Sequence, residues 1–313
     1  MDPDSQIRYG RIKGLLKSDF EFTDTVIETD NSMVAQARDL RTGMMVAVKF
    51  LLSSEQASRE FSSLRDVHRR LASAARVAKP IRCIETEALL ITEWIDGPSL
   101  AELLRDRSSS EADVLTALRR AGGWLREFHM MESRHPRSID FAPKVRQIEN
   151  LTESVASRLI GRLLIGLMRS RLISGWSRWQ DTAVEFGSLH GDFKPENLVF
   201  KDAEPVGLDI GKIHQAATVN EIGYFLAQLK CTVYSVHGLF AGARINRLCA
   251  EFLRGYEWSS ECAPAGLLGW VEREALLRMA HGILSSNRSG FRNTLGLVLV
   301  FAIFVSCRVR YEL

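Results

Sequence analysis

Cysteine is scarce and scattered in this chain. Its 313 residues include five cysteines, and no two of them have the C-x-x-C spacing of a zinc-binding or redox pair. The pattern argues against a structural zinc site and against a disulfide framework. We therefore expect a reducing, cytoplasmic setting.

A strong net charge and a long apolar run are missing as well. The formal net charge of +3 is too small to indicate a nucleic-acid partner. Residues 1–10 contain no apolar stretch, so they do not resemble a secretory signal. The longest apolar run, Leu295 to Cys307, is shorter than the roughly 20 residues that a membrane-spanning helix needs. We favour a buried terminal helix or strand there, and Arg308 and Arg310 keep membrane contact open as the less favoured alternative.

The rest of the composition, with 46% hydrophobic residues, is that of a globular chain. Up to about residue 95, short apolar or β-branched runs predict strands around one helix, which begins at Ser53-Ser54. Beyond Gly97-Pro98, long amphipathic patterns predict helices, interrupted by a strand-like patch from Ser188 to Asp209. We predict an α+β fold with a small antiparallel-sheet lobe, residues 1–95, and a larger, mainly helical lobe, residues 96–313.

The strongest chemical signal is the octet H-G-D-F-K-P-E-N at residues 190–197, which precedes an apolar run. It places Asp192 five residues before Asn197, the spacing of a catalytic loop in which an aspartate orients an acceptor hydroxyl and an asparagine binds Mg²⁺. Twelve residues after Asn197, the sequence L-D-I-G supplies Asp209 as a ligand for a metal that bridges phosphates. A lone H-x-D would be weak evidence, but the ordered set favours function.

Together these motifs resemble the protein-kinase-like superfamily, and His190-Gly191-Asp192 resembles its aminoglycoside and choline phosphotransferase branch. The resemblance spans about residues 25–229. It implies a bilobal fold in which residues 1–95 bind nucleotide and residues 96–313 carry the catalytic loop, the metal ligands and the acceptor site. It also implies ATP and Mg²⁺ as cofactors and a small-molecule hydroxyl as the acceptor. Asp192 would be catalytic, and Asn197 and Asp209 would bind the metal.

Counterparts of the family's nucleotide-binding residues lie in the first lobe. The run V-A-V-K at residues 46–49 resembles the V-A-I-K strand, so Lys49 would contact the α- and β-phosphates. Strand alternation would place Ala47 on the same face, over the adenine. Glu60, in the following helix, would form an ion pair with Lys49, with Glu55 as its competitor.

The hinge and the phosphate-covering loop are less distinctive. Residues 89–97 resemble the strand and hinge that bind adenine through backbone groups, which here belong to Glu93 and Ile95. Between Ile27 and Val34 there is no glycine, although glycine is what permits close backbone approach to phosphate. Asn31 or Ser32 are candidates to contact the phosphates instead.

Three features bear on the acceptor. Gly191 stands where protein kinases usually carry an arginine that pairs with a phosphorylated activation loop. Only about ten residues separate Asp209 from the helical pattern near Val219, too few for a peptide-binding platform. Lys194 points the other way, because a lysine there resembles Ser/Thr protein kinases, where it neutralises charge on the transferring phosphoryl group. We give the short segment the greater weight.

The favoured function is ATP-dependent phosphorylation of a hydroxyl on a small molecule of the sugar, amino alcohol or aminoglycoside class. Two alternatives stay open: a minimal Ser/Thr protein kinase and a nucleotide-binding pseudokinase scaffold. Between His129 and Ser188, arginines interleave with apolar residues at positions 158, 162, 169, 171 and 178. This pattern is typical of a core helix with a solvated basic edge, and it also fits an anionic acceptor or anionic lipid.

Overall fold

The computed structural model describes residues 3–28, 33–71, 77–132, 135–151, 159–210, 213–238, 241–285 and 291–306. The chain divides into two compact units, Met1–Gly97 with Val199–Ile213 and Pro98–Leu198 with His214–Leu313. The division differs from the predicted boundary because residues 199–213 group with the first unit. Val199 and Val206 pack there against Ala78 and Ile95. The division of binding roles between the predicted lobes stays a prediction.

The described residues of the first unit form a five-stranded antiparallel sheet and a strand pair. The sheet has the spatial order β1-β2-β3-β5-β4 and consists of β1 (Phe20–Glu28), β2 (Met33–Asp39), β3 (Met45–Phe50), β4 (Pro80–Ile84) and β5 (Leu89–Glu93). The pair that Val199 and Val206 belong to is β8 (Leu198–Lys201) with β9 (Glu204–Gly207). The predicted strands are therefore confirmed, with shifts of a few residues at their ends.

Two helices supply apolar residues to the sheet. Helix α1 (Pro3–Leu16) packs Ile12 and Leu16 into the cluster that contains the buried side chains of β2 and β3. Helix α2 (Ser54–Arg70) packs Ala57 against Leu90. As the sequence predicts, α2 begins after Ser53, whose hydroxyl accepts the N–H of Gln56. Helix α1 was not predicted, because its sequence is mostly polar and shows little helical periodicity.

The second unit is mainly helical, as predicted. Its described helices are α3 (Leu100–Arg105), α4 (Glu111–His129), α5 (Ala142–Asn150), α6 (Leu159–Ile173), α7 (Thr218–His237), α8 (Gly242–Tyr256), α9 (Ala265–Ser285) and α10 (Phe291–Ser306). An antiparallel sheet of order β10-β7-β6 joins β6 (His135–Ser138), β7 (Ala183–Leu189) and β10 (His214–Ala217). This sheet was predicted only in part, since the strand-like patch was expected to begin at Ser188.

The apolar run that starts at Leu295 lies in α10, and Cys307 falls outside the described residues. One side of α10 is buried, including Leu297 and Ile303, whereas Val298 and Val305 are exposed. The expectation of a buried terminal helix therefore holds for one side of α10 only. In the described parts of the chain, no helix is both long and apolar enough to cross a membrane.

Candidate active site

Three predicted site residues come together in the loop that follows β7. The Lys194 ammonium donates to Oδ2 of Asp192 at 2.6 Å, and the Asn197 amide nitrogen donates to the same oxygen at 3.1 Å. The Asn197 amide also donates to the Asp192 backbone carbonyl at 2.9 Å. Gly191 has φ +89, a left-handed conformation that favours glycine, so this residue allows the chain to turn ahead of Asp192.

The orientation of Asn197 fits a role as metal ligand. Its side-chain nitrogen is engaged by two atoms of Asp192, so its side-chain oxygen is turned away from them. Amide and carboxylate oxygens are the ligands that Mg²⁺ accepts in proteins, usually one or two of them together with substrate phosphates. In the described ranges, no group of three or more His, Cys, Asp or Glu side chains is placed to hold a metal ion.

A buried carboxylate that sequence reasoning missed anchors the same loop. Glu221, on α7, accepts the backbone N–H of Gly191 at 2.6 Å and that of His190 at 3.0 Å. Its Oε2 lies 2.9 Å from Nε2 of His129, and Nδ1 of His129 lies 2.8 Å from the Tyr256 hydroxyl. Burial raises the pKa of Glu221, but hydrogen bonds and charge from His129, with a smaller contribution from His190, outweigh it and lower the pKa below its ordinary value.

His190 has a structural position. Its ring is fully buried and lies 5.6 Å from the Phe128 ring and 5.9 Å from the Trp124 ring. Phe193 stacks on Trp124 with centroids 5.5 Å apart and packs against Phe225 at 4.9 Å. These contacts fix the residues on both sides of Asp192, while its own side chain remains 44% exposed. The loop is thus packed on both sides of Asp192 while the Asp192 carboxylate stays accessible.

Helix α7 also presents polar side chains that sequence reasoning missed. The Tyr224 hydroxyl lies 3.5 Å from Oδ1 of Asp192 and accepts a hydrogen bond from Gln228 at 2.9 Å. Burial, followed by the nearby Asp192 carboxylate, raises the pKa of Tyr224, which keeps the phenol protonated. One turn earlier, Asn220 accepts from Lys144 at 2.7 Å. The i, i+4, i+8 spacing of Asn220, Tyr224 and Gln228 was the available sequence signal.

In the first unit the structure brings Lys49, Glu60 and Asp209 together. The Lys49 ammonium lies 2.8 Å from Glu60 Oε2 and 2.9 Å from Asp209 Oδ1. Gln56 donates to the other Glu60 oxygen at 2.9 Å, whereas Glu55 is exposed. Burial lowers the pKa of Lys49, but the Asp209 and Glu60 carboxylates together raise the pKa above its ordinary value. Lys49 is therefore a charged group held by two carboxylates.

The predicted face of β3 is confirmed. Burial alternates along the strand, so Ala47 and Lys49 share its partly exposed side while Val46 and Val48 face the core. Asp209 has φ +54, a left-handed conformation that is uncommon outside glycine and tolerated by aspartate. With Oδ1 on Lys49 and the side chain 46% exposed, its second oxygen fits a metal ligand.

The predicted hinge residues lie at the end of β5. The Glu93 backbone N–H donates to the Lys79 carbonyl at 2.9 Å, and the Glu93 carboxylate accepts from Lys201 at 3.2 Å. The Ile95 side chain is buried against Ala78 and its neighbours. Their adenine contacts stay a prediction, and the Glu93 carbonyl accepts from the Thr92 hydroxyl at 3.3 Å. Asn31, Ser32, Arg158 and Gly211 lie outside the described residues.

Several known structures with a similar fold are kinases of small molecules. An amicoumacin kinase has a TM-score of 0.63 at 14% identity, with 97% of this chain and 96% of that chain covered. A choline kinase from Streptococcus pneumoniae has a TM-score of 0.60 at 14% identity, covering 95% and 99%. A glucosamine kinase has a TM-score of 0.60 at 11% identity, covering 90% and 93%. No curated protein matches by sequence. These similarities confirm the predicted kinase-like fold.

The model of the APH phosphotransferase enzyme family matches residues 30–209. That range is more than half of the 313 residues and contains every predicted site residue, from Ala47 to Asp209. The match agrees with the predicted function, ATP-dependent transfer of a phosphoryl group to a small-molecule hydroxyl, and lends no support to a protein kinase or a scaffold. The chain therefore belongs to the APH phosphotransferase enzyme family.

Proposed function

We propose that Asp192 is the catalytic base of this kinase and that its acceptor is a small molecule that carries a hydroxyl group, such as a sugar or an amino alcohol. The observation that supports the proposal is the placement of the Asp192 carboxylate. It is partly exposed, lies 2.6 Å from the Lys194 ammonium, and belongs to a loop fixed by Glu221. A carboxylate held in this way can accept a hydroxyl proton without reorganisation.

The other predicted site residues would bind the nucleotide and its metal ion. Magnesium-bound ATP supplies the phosphoryl group and carries the negative charge that the protein must offset. Lys194 places a positive charge beside the reacting group, and Lys49 would contact the α- and β-phosphates while Glu60 orients it. Asn197 and Asp209 would each contribute one oxygen to magnesium. Ala47, Glu93 and Ile95 would bind the adenine.

Three observations support a small acceptor. The chain between Asp209 and α7 contains β10, which pairs with β7 and so leaves little length for binding a peptide. The polar row of Asn220, Tyr224 and Gln228 lies along α7 with its middle member, Tyr224, 3.5 Å from Asp192, and such a row is suited to hydroxyl groups. At the Asn220 end of this row Lys144 lies 3.5 Å from Glu274, so both signs of charge are present, which suits a neutral or zwitterionic acceptor better than a polycation.

Two of the similar structures offer starting acceptors, since one is a choline kinase and another a glucosamine kinase. ADP release with Mg-ATP should be measured against amino alcohols, sugars, sugar phosphates and aminoglycosides. We expect release only with a suitable acceptor, and loss of transfer in Asp192→Ala while the Mg-ATP-induced rise in melting temperature persists. Asp24→Ala, at an exposed position of β1, is the matched control. Full activity of Asp192→Ala would refute the assigned roles.

The same measurements separate the alternatives. Transfer of labelled phosphate to generic protein substrates, without a small acceptor, would favour a protein kinase. A melting-temperature rise with Mg-ATP but no turnover on any acceptor would favour a nucleotide-binding scaffold. The four described cysteines, Cys83, Cys231, Cys249 and Cys262, are free thiols, which supports a reducing, cytoplasmic setting.

A further inference from the structure

Helices α6 and α10 are neighbours, and both expose apolar side chains. Both pack on α9 and touch each other. Their outward sides expose Leu163 by 63%, Leu167 by 49%, Leu295 by 59%, Val298 by 51% and Val305 by 48%. These five are among twelve exposed large apolar side chains in the described residues, so nearly half of them lie on two helices. Such concentration marks an interaction surface, whereas single exposed apolar residues need no explanation. We call it the α6–α10 surface.

The charge on this surface has one sign. Helix α6 carries Arg162, Arg169 and Arg171, Arg178 follows it, and neither α6 nor α10 contains an acidic residue. Throughout the described ranges, no carboxylate forms an ion pair with the exposed residues Arg162, Arg171 or Arg178.

Arginines elsewhere in the second unit behave differently. Arg105, Arg119 and Arg247 are also exposed, and each forms an ion pair with a glutamate. The acids of α9 do not neutralise the α6–α10 surface, because Glu272 and Glu274 are buried in ion pairs with lysine or arginine. The surface is therefore apolar and cationic at the same time.

A groove between these helices combines both properties. It has a volume of about 400 Å³ and is lined by Arg171, Leu172, Trp270, Arg273, Phe304 and Val305. The exposed Arg171 guanidinium provides donors suited to a phosphate, and the rings of Trp270 and Phe304 provide an apolar wall. The half-buried Trp176 and Trp179 follow α6, and tryptophan favours the boundary between headgroups and acyl chains.

We propose that the α6–α10 surface docks on a bilayer containing anionic phospholipid. The exposed leucines and valines would enter the boundary between headgroups and acyl chains, while the arginines bind lipid phosphates. Charge complementarity selects this partner: a second copy of the chain would bring its own arginines against these, and like charges across an interface are unfavourable. The proposal is independent of the acceptor's identity.

Vesicle co-sedimentation of the full chain tests the proposal directly. Phosphatidylcholine vesicles are compared with vesicles that also contain phosphatidylglycerol, at low and high salt. We expect binding only to the anionic vesicles. Binding should be weaker at high salt, because salt screens the attraction between the arginines and the lipid phosphates. The double variant Arg162→Gln/Arg171→Gln should bind roughly 25-fold more weakly, about fivefold for each charge near the surface.

Matched controls separate this surface from general charge and hydrophobicity. Arg38→Gln/Arg41→Gln removes two exposed arginines of the first unit, and Leu40→Ser/Leu52→Ser removes two exposed leucines. We expect both controls to bind as the wild type does, whereas Leu163→Ser/Leu167→Ser should lose binding with an unchanged melting temperature. Absence of binding to anionic vesicles, or equal losses in the controls, would overturn the proposal. So would light scattering that shows a dimer dissociated by Leu163→Ser/Leu167→Ser.

Discussion

Glu221 and His129 form a buried pair, with Oε2 of the carboxylate 2.9 Å from Nε2 of the imidazole. The same carboxylate accepts two backbone N–H groups of the loop that carries Asp192, at His190 and Gly191. A buried charge is tolerable only when it is fully hydrogen-bonded, and here the bonding partners include the backbone that precedes Asp192. Both the stability of the second unit and the position of Asp192 therefore depend on the Glu221 side chain.

Replacing Glu221 by glutamine should destabilise the protein. The glutamine amide has a single oxygen to accept the N–H groups of His190 and Gly191. Its NH₂ group then faces one of these N–H donors or the His129 ring. We expect a loss of about 2–4 kcal/mol in the free energy of unfolding, measured by urea denaturation. Glu257→Gln, which removes a largely exposed partner of Arg126, should change it by no more than about 0.5 kcal/mol. Equal effects of the two substitutions would contradict the anchoring role.

The pKa of Glu221 also predicts how stability depends on pH. Its folded-state pKa lies below the ordinary value of 4.5 because hydrogen bonds and charge from His129 outweigh burial. A depressed carboxyl pKa stabilises the fold above the ordinary value, and this contribution is lost as pH falls through the folded pKa. We expect the melting temperature of the wild type to fall more steeply below pH 4.5 than that of Glu221→Gln. Parallel curves would show that another group controls acid unfolding.

Helix α2 offers a matched pair of glutamates for testing how Lys49 is oriented. Glu60 lies 2.8 Å from the Lys49 ammonium, whereas Glu55, on the same helix, is exposed. Glu60→Gln should lower kcat/KM by about tenfold to a hundredfold, since a misplaced lysine no longer matches the phosphates. Glu55→Gln should stay within about twofold of the wild type. If only Glu55→Gln lost activity, Glu55 and not Glu60 would be the residue that orients Lys49.

The raised pKa of Lys49 predicts how the stability of the protein changes at alkaline pH. Its pKa is raised above 10.5 because Asp209 and Glu60 outweigh burial. A raised lysine pKa stabilises the fold fully below the ordinary value, and this contribution is lost as pH rises through the folded pKa. The melting temperature of the wild type should therefore drop above pH 10.5, and Lys49→Met should show a flatter profile there. A profile unchanged by the substitution would mean that Lys49 is not coupled to the two carboxylates.

The sequence was sufficient for the parts of the site that have fixed spacing. Asp192, Lys194 and Asn197 lie on one short loop, so their proximity follows from local geometry, and the alternation of β3 predicted which side Lys49 occupies. Choosing Glu60 over Glu55 succeeded because helical periodicity orients α2 against the sheet.

Other features could not be predicted because they depend on tertiary packing. In the sequence, Glu221 is an ordinary glutamate within a helical pattern. Only the fold shows that α7 buries it beside His129, which lies 92 residues earlier in the chain. The grouping of residues 199–213 with the first unit depends in the same way on packing of Val199 and Val206. Helix α1 could not be predicted because a mostly polar helix is stabilised by its tertiary contacts and not by hydrophobic periodicity in its sequence.

The close approach of α4 and α8 provides the last prediction. A Cβ atom added to Gly122 would overlap the Phe252 backbone carbonyl, and one added to Gly255 would overlap that of Arg119. The glycines therefore allow the two backbones to touch, which places Tyr256 of α8 beside His129 of α4. Gly122→Ala should force the helices apart, cost about 1–3 kcal/mol of stability, and lower activity through the disturbed His129–Glu221 pair.

Gly10→Ala is the control, because a Cβ atom there meets nothing within 4 Å and alanine is the better helix former. That substitution should leave activity unchanged and stabilise α1 by about 0.5–1 kcal/mol. Thermal denaturation and ADP release, measured on both variants, distinguish a packing requirement from a general intolerance of alanine. If Gly122→Ala is as stable as the wild type, α4 and α8 are not held together by backbone contact, and another interaction must position Tyr256.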